Sequence, residues 1–308
     1  MRPIVSVVIP AFQRQRQLDR AIASVLAQSG IRGSAIEIIV VDDCSPSPLA
    51  IVTNSSAQLI RQYQNGGAAA ARNKGVAMAT GDLIAFLDSD DVWLPNKLAN
   101  QLASFAELSK THDPDLLAIG TGFYDPDRKT GVLRSRIPRA SSTVELFSSG
   151  CWFGPGSTLL MSRKAFDAIG PQDAAMRRLE DLDWFIRFGQ AGGKFFSTQT
   201  RDVVIRPSGT APFDAVMTAA QQLADKYGPS GTTPLPARAW NRLAAYLSLE
   251  KAVAHHGKGQ FFRSSAELLK TFIRKPRFQP ALETFWDESA DIPDVVRQTF
   301  AQMEENLS

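Results

Sequence analysis

Cysteine and histidine are scarce in this chain of 308 residues, which contains two cysteines and three histidines. Cys44 and Cys151 lie far apart and show no CxxC or Cys/His spacing, which argues against a disulfide framework and against a zinc site. His255 and His256 are adjacent but have no partner at metal-site spacing. The chemistry of the chain must therefore be sought in other side chains.

Long apolar runs and a strong charge imbalance are also missing. No segment approaches the roughly 18 apolar residues that span a bilayer, and the first residues lack the pattern of a secretory signal. We therefore expect a cytoplasmic protein that is at most peripheral to a membrane. The 34 Lys and Arg against 31 Asp and Glu leave a net charge of only +3, which gives no reason to expect a nucleic-acid partner.

Hydrophobic residues make up 44% of the sequence, enough for a large core. Apolar runs at 4–9, 36–41, 59–63 and 83–87 alternate with helical patterns that include residues 68–79, which predicts βαβ units and a mostly parallel sheet flanked by helices. After residue 113 the pattern predicts shorter strands at 116–124, 132–137, 157–161 and 203–205, and helices at 144–147 and 180–190. Beyond about residue 212 we predict helices to the end of the chain, at 213–227, 236–256, 261–273 and 295–304.

The stretch 81–91 is the most informative because an apolar strand there ends in three acids, Asp88, Asp90 and Asp91. In open α/β sheets the carboxyl ends of the strands form the ligand-binding edge. Carboxylates crowded together either have raised pKa values or surround something positive. Their oxygen atoms suit Mg²⁺ or Mn²⁺.

Four turns are expected to meet at this edge and to offer aromatic, acidic and basic groups together. A nucleoside diphosphate, with its base, ribose and phosphates, fits that combination. The turns are residues 10–14, Asp42-Asp43, Gly66-Gly67 with Arg72 in the following helix, and residues 88–91.

Five segments in fixed order resemble the family 2 glycosyltransferases with the GT-A fold: 5–12, 38–45, 65–75, 81–93 and 180–184. The resemblance implies a GT-A domain at 1–210, with a nucleotide-sugar half at 1–112 and an acceptor half at 113–210. Residues 211–308 would be a helical extension. It also implies a bacterial-type enzyme that transfers a single sugar, because the chain lacks the Gln-x-x-Arg-Trp sequence of the processive synthases.

The resemblance further implies roles for individual residues. Asp42 would bind the base of a nucleoside diphosphate sugar, most simply a UDP-sugar. Asp88 would face the ribose or a divalent Mn²⁺ or Mg²⁺, with Asp90 as the first metal ligand and Asp91 beside it. The other donor-binding candidates are Pro10, Ala11, Phe12, Arg14, Gly67, Arg72 and Ser89.

An inverting transfer needs a base that takes the proton of the acceptor hydroxyl. The resemblance assigns this role to Asp181, with Glu180 as the alternative, since adjacent helical residues point about 100° apart. The acceptor would be a hydroxyl of a glycan, a lipid-linked sugar or a protein.

Several alternatives stay open. The run 84–92 also fits a haloacid-dehalogenase-like phosphatase with Asp88 as the nucleophile, and a non-catalytic sugar-nucleotide-binding protein would carry the same motifs. Asp42-Asp43 also fits a simple turn. Trp152 fits an acceptor pocket or the core. The basic amphipathic helix at 261–273 either lies on an anionic membrane or, in the favoured interpretation, packs its apolar face on the domain.

Overall fold

The computed structural model describes residues 4–51, 57–127, 130–154, 156–206, 211–274, 286–289 and 292–304. Within these residues ten strands form one sheet. They are β1 (Val5–Ala11), β2 (Ile36–Asp42), β3 (Gln58–Arg61), β4 (Leu83–Phe86), β5 (Val92–Trp93), β6 (Leu117–Pro126), β7 (Leu133–Pro138), β8 (Leu160–Ser162), β9 (Lys194–Val204) and β10 (Trp286–Ser289).

Helices cover both faces of the sheet, and the described residues contain ten α-helices. They are α1 (Gln15–Leu26), α2 (Gly67–Met78), α3 (Lys97–Leu108), α4 (Val144–Phe147), α5 (Arg163–Ile169), α6 (Glu180–Gln190), α7 (Phe213–Tyr227), α8 (Ala237–Gly257), α9 (Phe261–Arg274) and α10 (Asp294–Glu304). No helix within these residues is both long and apolar enough to cross a membrane.

The first half of the sheet is parallel. β1 lies between β2 and β4 and pairs with both in parallel, and β3 adds to the outer edge of β2. Every residue of β1 is buried, because α1 and α3 cover one face of this region and α2 covers the other. Burial on both faces explains why these strands are continuous apolar runs rather than alternating ones.

The second half of the sheet is mixed. β8 pairs antiparallel with both β4 and β6, while β9 runs parallel to β6 and antiparallel to β5. β10 pairs antiparallel with β7 at the other end of the sheet. The prediction of helices to the end of the chain is therefore wrong at 286–289. A four-residue edge strand is too short to carry a periodic signal, and its pairing depends on a distant segment.

Helix α2 lies unusually close to β1. A Cβ atom on Gly75 would sit 2.3 Å from Cγ1 of Val8, so only glycine allows this approach. Ala69 and Ala71 are buried on the same helix. The small residues bring α2, and with it Arg72, against the carboxyl ends of the strands.

The first two C-terminal helices, α7 and α8, share a core with the acceptor half. Leu223 of α7 and Leu243 of α8 belong to the same buried cluster as Phe153 and Phe185, whose rings stack with centroids 4.0 Å apart. Trp152 is fully buried in this cluster, so of its two interpretations the core position is correct.

Helix α9 is oriented with its apolar side outward. The buried positions are Ser264 and Thr271, whose hydroxyls donate to the carbonyls of Ala252 and Ala245 on α8. The prediction that α9 packs its apolar face on the domain is wrong, because small polar residues make the contact instead.

Candidate active site

A cavity of about 480 Å³ lies where β1 and β4 end, beside α2. Eight of the predicted donor-site and metal-site residues line it together: Pro10, Ala11, Phe12, Arg14, Arg72, Asp88, Ser89 and Asp90. Four further lining residues are absent from the predicted set: Gln13, Asp43, Ala68 and Ala71. All four lie inside or next to the five sequence motifs. The motifs therefore indicated these regions but did not distinguish the lining residues from their neighbours.

Arg72 is the central cation of the cavity. Its Nη2 donates to Asp88 at 2.8 Å and its Nη1 donates to Glu180 at 3.0 Å, so one guanidinium joins the end of β4 to the start of α6. Burial alone would lower its pKa, but Asp88 and Glu180 raise it above the usual value, and Arg72 stays charged. Its buried Nε has no hydrogen-bond partner among the described residues.

Asp88 and Asp90 face the cavity from the turn after β4. Asp90 forms an ion pair with Arg14. Burial raises the pKa of Asp90, and the nearby Asp88 adds to this rise while Arg14 opposes it. The two carboxylates therefore lie on one wall of the cavity, and each forms an ion pair with an arginine.

Asp91 does not share this position, which corrects its assignment as a metal ligand. Its carboxylate is buried, accepting from the Ser157 hydroxyl at 2.5 Å and from the Arg206 amide at 2.9 Å. The Asp91 amide bonds back to the Asp88 carbonyl at 3.0 Å, so the tight turn directs Asp91 into the protein. Burial, together with Asp88 and Asp90, holds the pKa of Asp91 well above its usual range.

Asp42 lies outside the cavity lining, which corrects the assignment of this residue to the base. Its carboxylate accepts from the Ser45 and Leu49 amides and pairs with Arg61 at 2.9 Å, so it organises the loop after β2. The neighbouring Asp43 lines the cavity instead. Side chains alternate along a strand, and this places Asp42 and Asp43 on opposite faces of the sheet.

Asp43 also fixes the start of α2. Its carboxylate accepts from the Gly66 amide at 2.7 Å and the Gly67 amide at 2.8 Å, and from the Gln62 side chain at 2.6 Å. Gly67 is therefore not a lining residue, and its N–H is already used by Asp43. Its φ of 83° favours glycine, and a Cβ there would sit 2.6 Å from Nη1 of Arg177.

Glu180 and Asp181 begin α6 and point to different partners. Glu180 contacts Arg72, whereas Asp181 accepts from the Leu182 amide at 2.7 Å and lies 3.7 Å from the Cys151 sulfur. Burial raises the pKa of Asp181 to about 6, Glu180 adds to the rise, and Arg72 opposes it. The pKa of the Asp181 carboxylate is therefore closer to neutral pH than that of an ordinary aspartate.

A second group of polar residues supports Asp181 from α8. The Tyr246 hydroxyl lies 3.9 Å from the Cys151 sulfur and donates to Glu250 at 2.7 Å, and Glu250 pairs with Arg178 at 2.6 Å. Sequence reasoning missed this group because α8 lies outside the five motifs. No local signal connects residues 246–250 with residue 151.

Three non-glycine residues of the described chain have left-handed backbone, and all three adjoin the site. Gln13 has φ 59° and follows β1, Cys44 has φ 61° and follows β2, and Leu179 has φ 60° and directly precedes Glu180. Such conformations are costly for residues with a Cβ and cluster at functional sites.

Comparison with known proteins agrees with this geometry. The sequence profile of the family described as "Glycosyl transferase family 2" matches residues 6–170. The chain belongs to this family. Asp88 lies within the matched residues, so the family match removes the haloacid-dehalogenase alternative.

Solved structures similar to this chain give the fold. TarS residues 1–349 from S. aureus, in complex with UDP, superimpose with a TM-score of 0.55 at 13% identity, covering 94% of each chain. The same TarS fragment in complex with UDP-GlcNAc gives a TM-score of 0.55 at 14% identity, covering 87% of this chain and 81% of that one. The predicted GT-A fold with a helical C-terminal region is confirmed.

The sequence alignments with relatives cover only part of each relative's length. An uncharacterized glycosyltransferase of Nostoc sp. is 34% identical over 193 residues, which cover 57% of this chain and 56% of the relative. The succinoglycan biosynthesis protein ExoO of Rhizobium meliloti is 38% identical over 104 residues, covering 32% of this chain and 29% of the relative. This chain thus covers less than two thirds of the length of either relative.

Proposed function

We propose that this chain is an inverting glycosyltransferase that transfers one sugar from a UDP-sugar to a hydroxyl acceptor in the synthesis of a polysaccharide, glycolipid or glycoprotein. The observation that carries the proposal is the cavity in which Phe12, Arg72, Asp88 and Asp90 meet. An aromatic ring, arginines and paired carboxylates in one cavity suit a base, phosphates and a metal-bridged diphosphate.

Observations on two similar proteins support the choice of donor and product class. TarS, which has the same fold, has been solved with UDP and with UDP-GlcNAc. ExoO is named for the synthesis of succinoglycan. The acceptor classes are the hydroxyls of a glycan, a lipid-linked sugar or a protein, and peripheral membrane contact through the C-terminal helices belongs to the same proposal.

Asp88 and Asp90 are proposed to hold a divalent Mn²⁺ or Mg²⁺. The described residues contain no group of three or more acids, histidines or cysteines arranged for a metal. Two carboxylates nevertheless fit an ion whose remaining ligands are phosphate oxygens and water. A bound ion would neutralise charge that develops on the diphosphate leaving group.

Asp181 is proposed as the base that takes the acceptor proton. Two observations support it over Glu180. The Glu180 carboxylate is already paired with Arg72, and the pKa of Asp181, at about 6, suits proton transfer near neutral pH. Arg72 would then hold the diphosphate side and, through Glu180, the start of α6.

The proposed domain boundaries follow from which segments contribute the donor cavity and which contribute the candidate base. Residues 1–112 contribute all of the cavity lining, and 113–210 contribute Glu180 and Asp181. We therefore keep 1–210 as the proposed GT-A domain and 211–308 as its extension.

Donor binding can be measured by thermal-shift titration with a panel of nucleoside diphosphate sugars, with and without Mn²⁺. UDP-sugars are expected to raise the unfolding midpoint, and Mn²⁺ to increase this effect. Asp90→Asn should lose the Mn²⁺-dependent part, whereas Asp181→Asn should keep it. If no nucleoside diphosphate stabilises the protein, the proposal fails.

Turnover separates an enzyme from a non-catalytic binding protein. Mn²⁺-dependent hydrolysis of the bound donor, followed by NMR of the anomeric proton, is expected for the wild type and should show inversion. Asp181→Asn should reduce this hydrolysis by roughly 10²–10⁴-fold. Near-normal hydrolysis by this variant would rule out Asp181 as the base.

A further inference from the structure

Six large apolar side chains on α9 are exposed although the helix is packed on α8. They share one side of the helix, which we call the α9 apolar face, and Phe262 is 90% and Ile273 70% exposed. The face consists of Phe261, Phe262, Leu268, Leu269, Phe272 and Ile273. A continuous apolar surface of this kind marks an interaction site.

The contact between α9 and α8 shows that this orientation is specific. Ser264 and Thr271 are buried and donate to carbonyls of α8 at 2.9 and 3.2 Å. Arg274 also donates to the Ser248 hydroxyl at 3.2 Å. Polar bonds therefore fix α9 to the protein and leave its apolar face outward.

Positive charge borders the apolar face. At 100° per residue, Arg263, Lys270 and Arg274 lie together along one side of the helix, next to the apolar residues. Of the three, Lys270 pairs with Glu267 at 2.6 Å. An amphipathic helix with aromatic and aliphatic residues on one side and cations beside them suits the surface of an anionic bilayer.

A second feature, which shares Arg274 with this border, lies at the end of α9. A cleft of about 450 Å³ between α4, α8 and α9 gathers three arginines with a single acid, and we call it the arginine cleft. Arg238 and Arg242 are one helical turn apart on α8, and Arg242 is oriented by the Ser149 hydroxyl at 3.2 Å. The full lining is Glu145, Arg238, Asn241, Arg242 and Arg274. Guanidinium groups arranged in this way bind phosphate oxygens.

We infer that the α9 apolar face and the arginine cleft together form a docking surface for a bilayer of anionic phospholipids. The apolar side chains enter the boundary between headgroups and acyl chains, and the arginines contact lipid phosphates. Charge argues against a second copy of the chain as the occupant, because pairing two such surfaces would bring cations of both copies together.

This inference rests on the membrane contact included in the proposed function. It does not depend on the proposed donor chemistry, but it bears on the acceptor. Helix α8, which supports α9, also carries Tyr246, which contacts Cys151 and through it the candidate base Asp181. A bilayer bound by α9 would therefore lie one helix away from the acceptor side of the site, which favours a lipid-linked acceptor.

The test is vesicle co-sedimentation of the full chain. Vesicles of phosphatidylcholine are compared with vesicles of phosphatidylcholine and phosphatidylglycerol, at low and high salt. We expect binding to the anionic vesicles only, weakened by salt. Phe262→Glu should weaken binding by on the order of tenfold or more. Arg238→Gln with Arg242→Gln should weaken it by about 25-fold, about fivefold for each cation lost.

Controls keep the result specific. Val132→Glu changes a residue that is 63% exposed, as Phe261 is, but lies outside α9, and it should bind as the wild type does. Circular dichroism and the unfolding midpoint of each variant confirm folding. Equal binding to neutral and anionic vesicles would overturn the role of the arginines. Absence of vesicle binding would overturn the inference, as would self-association lost in Phe262→Glu without vesicle binding.

Discussion

Asp181 is the residue whose environment makes the sharpest prediction about pH. An acid whose pKa is raised in the folded state is protonated below that pKa, and only the ionised form can act as a base. With a pKa of about 6, transfer is expected to rise with pH through this value and then level off. The measurement is kcat against pH at saturating donor.

Removing the neighbouring charge should move this profile. Glu180 raises the pKa of Asp181, so Glu180→Gln is expected to shift the rise in kcat to lower pH. Glu107→Gln is the matched control, since Glu107 is exposed and lies on α3. An unchanged profile in Glu180→Gln would contradict the assignment of Asp181 as the titrating group.

Asp42 and Asp43 are adjacent in sequence but should differ in what they control. Asp42→Asn removes the buried negative charge that pairs with Arg61 and replaces one acceptor oxygen with an NH₂ group. We expect a loss of about 1–3 kcal/mol in the free energy of unfolding without change in UDP affinity. Asp43→Asn alters the cavity wall and the cap of α2, and should weaken UDP binding on the order of tenfold.

Denaturant unfolding and calorimetric titration of both variants separate the two effects. If Asp42→Asn weakened UDP binding more than Asp43→Asn did, the cavity lining would be assigned to the wrong aspartate.

At the scale of the element, α2 depends on a glycine that a free helix would not favour. Alanine is better than glycine within a helix by about 1 kcal/mol, yet a Cβ at position 75 would sit 2.3 Å from Val8. Gly75→Ala should therefore destabilise the protein by about 1–3 kcal/mol through overpacking, and displace Arg72 enough to weaken donor binding.

Gly257→Ala is the matched control for this change. Gly257 is the last residue of α8, and nothing lies within 4 Å of the place that a Cβ atom would take there, so the substitution should be neutral or slightly stabilising. Equal effects of the two substitutions in denaturant unfolding would show that helix propensity, and not the contact with β1, decides the result at position 75.

At the scale of the whole molecule, the helices α7 and α8 should unfold together with the sheet. Leu243 of α8 is fully buried in the cluster that includes Phe153 and Phe185. Leu243→Ala is expected to cost about 2–5 kcal/mol and to lower the unfolding midpoint equally by tryptophan fluorescence and far-UV circular dichroism.

Val253→Ala provides the comparison for Leu243→Ala. Val253 lies on the same helix but is 60% exposed, and its truncation should change stability by less than about 0.5 kcal/mol. Two separate transitions in Leu243→Ala would contradict a shared core.

Motifs and periodicity predicted the order of the elements, the parallel half of the sheet and most of the cavity lining. They failed where neighbouring residues had to be distinguished. In a strand buried on both faces, such as β2, hydrophobicity does not alternate, so nothing in the run before Asp42 and Asp43 shows which carboxylate faces α2. The inward direction of Asp91 depends on Ser157, which is 66 residues away in the chain.

Sequence patterns also could not show how α9 is oriented. An apolar helical face normally packs inward, and only the bonds of Ser264 and Thr271 to α8 reveal the opposite arrangement. The contact of Tyr246 with Cys151 is equally non-local, since 95 residues separate them.

The left-handed residues Gln13, Cys44 and Leu179 have a consequence for engineering this protein. Each left-handed conformation costs roughly 1–2 kcal/mol of stability, so these positions are natural targets for a thermostable variant. Glycine or asparagine there would remove most of the backbone strain. They also hold the cavity wall, Asp43 and Glu180 in position. Screening for heat resistance alone would therefore select substitutions at these positions that loosen the site. A screen for thermostable variants should keep the native residues Gln13, Cys44 and Leu179 unchanged.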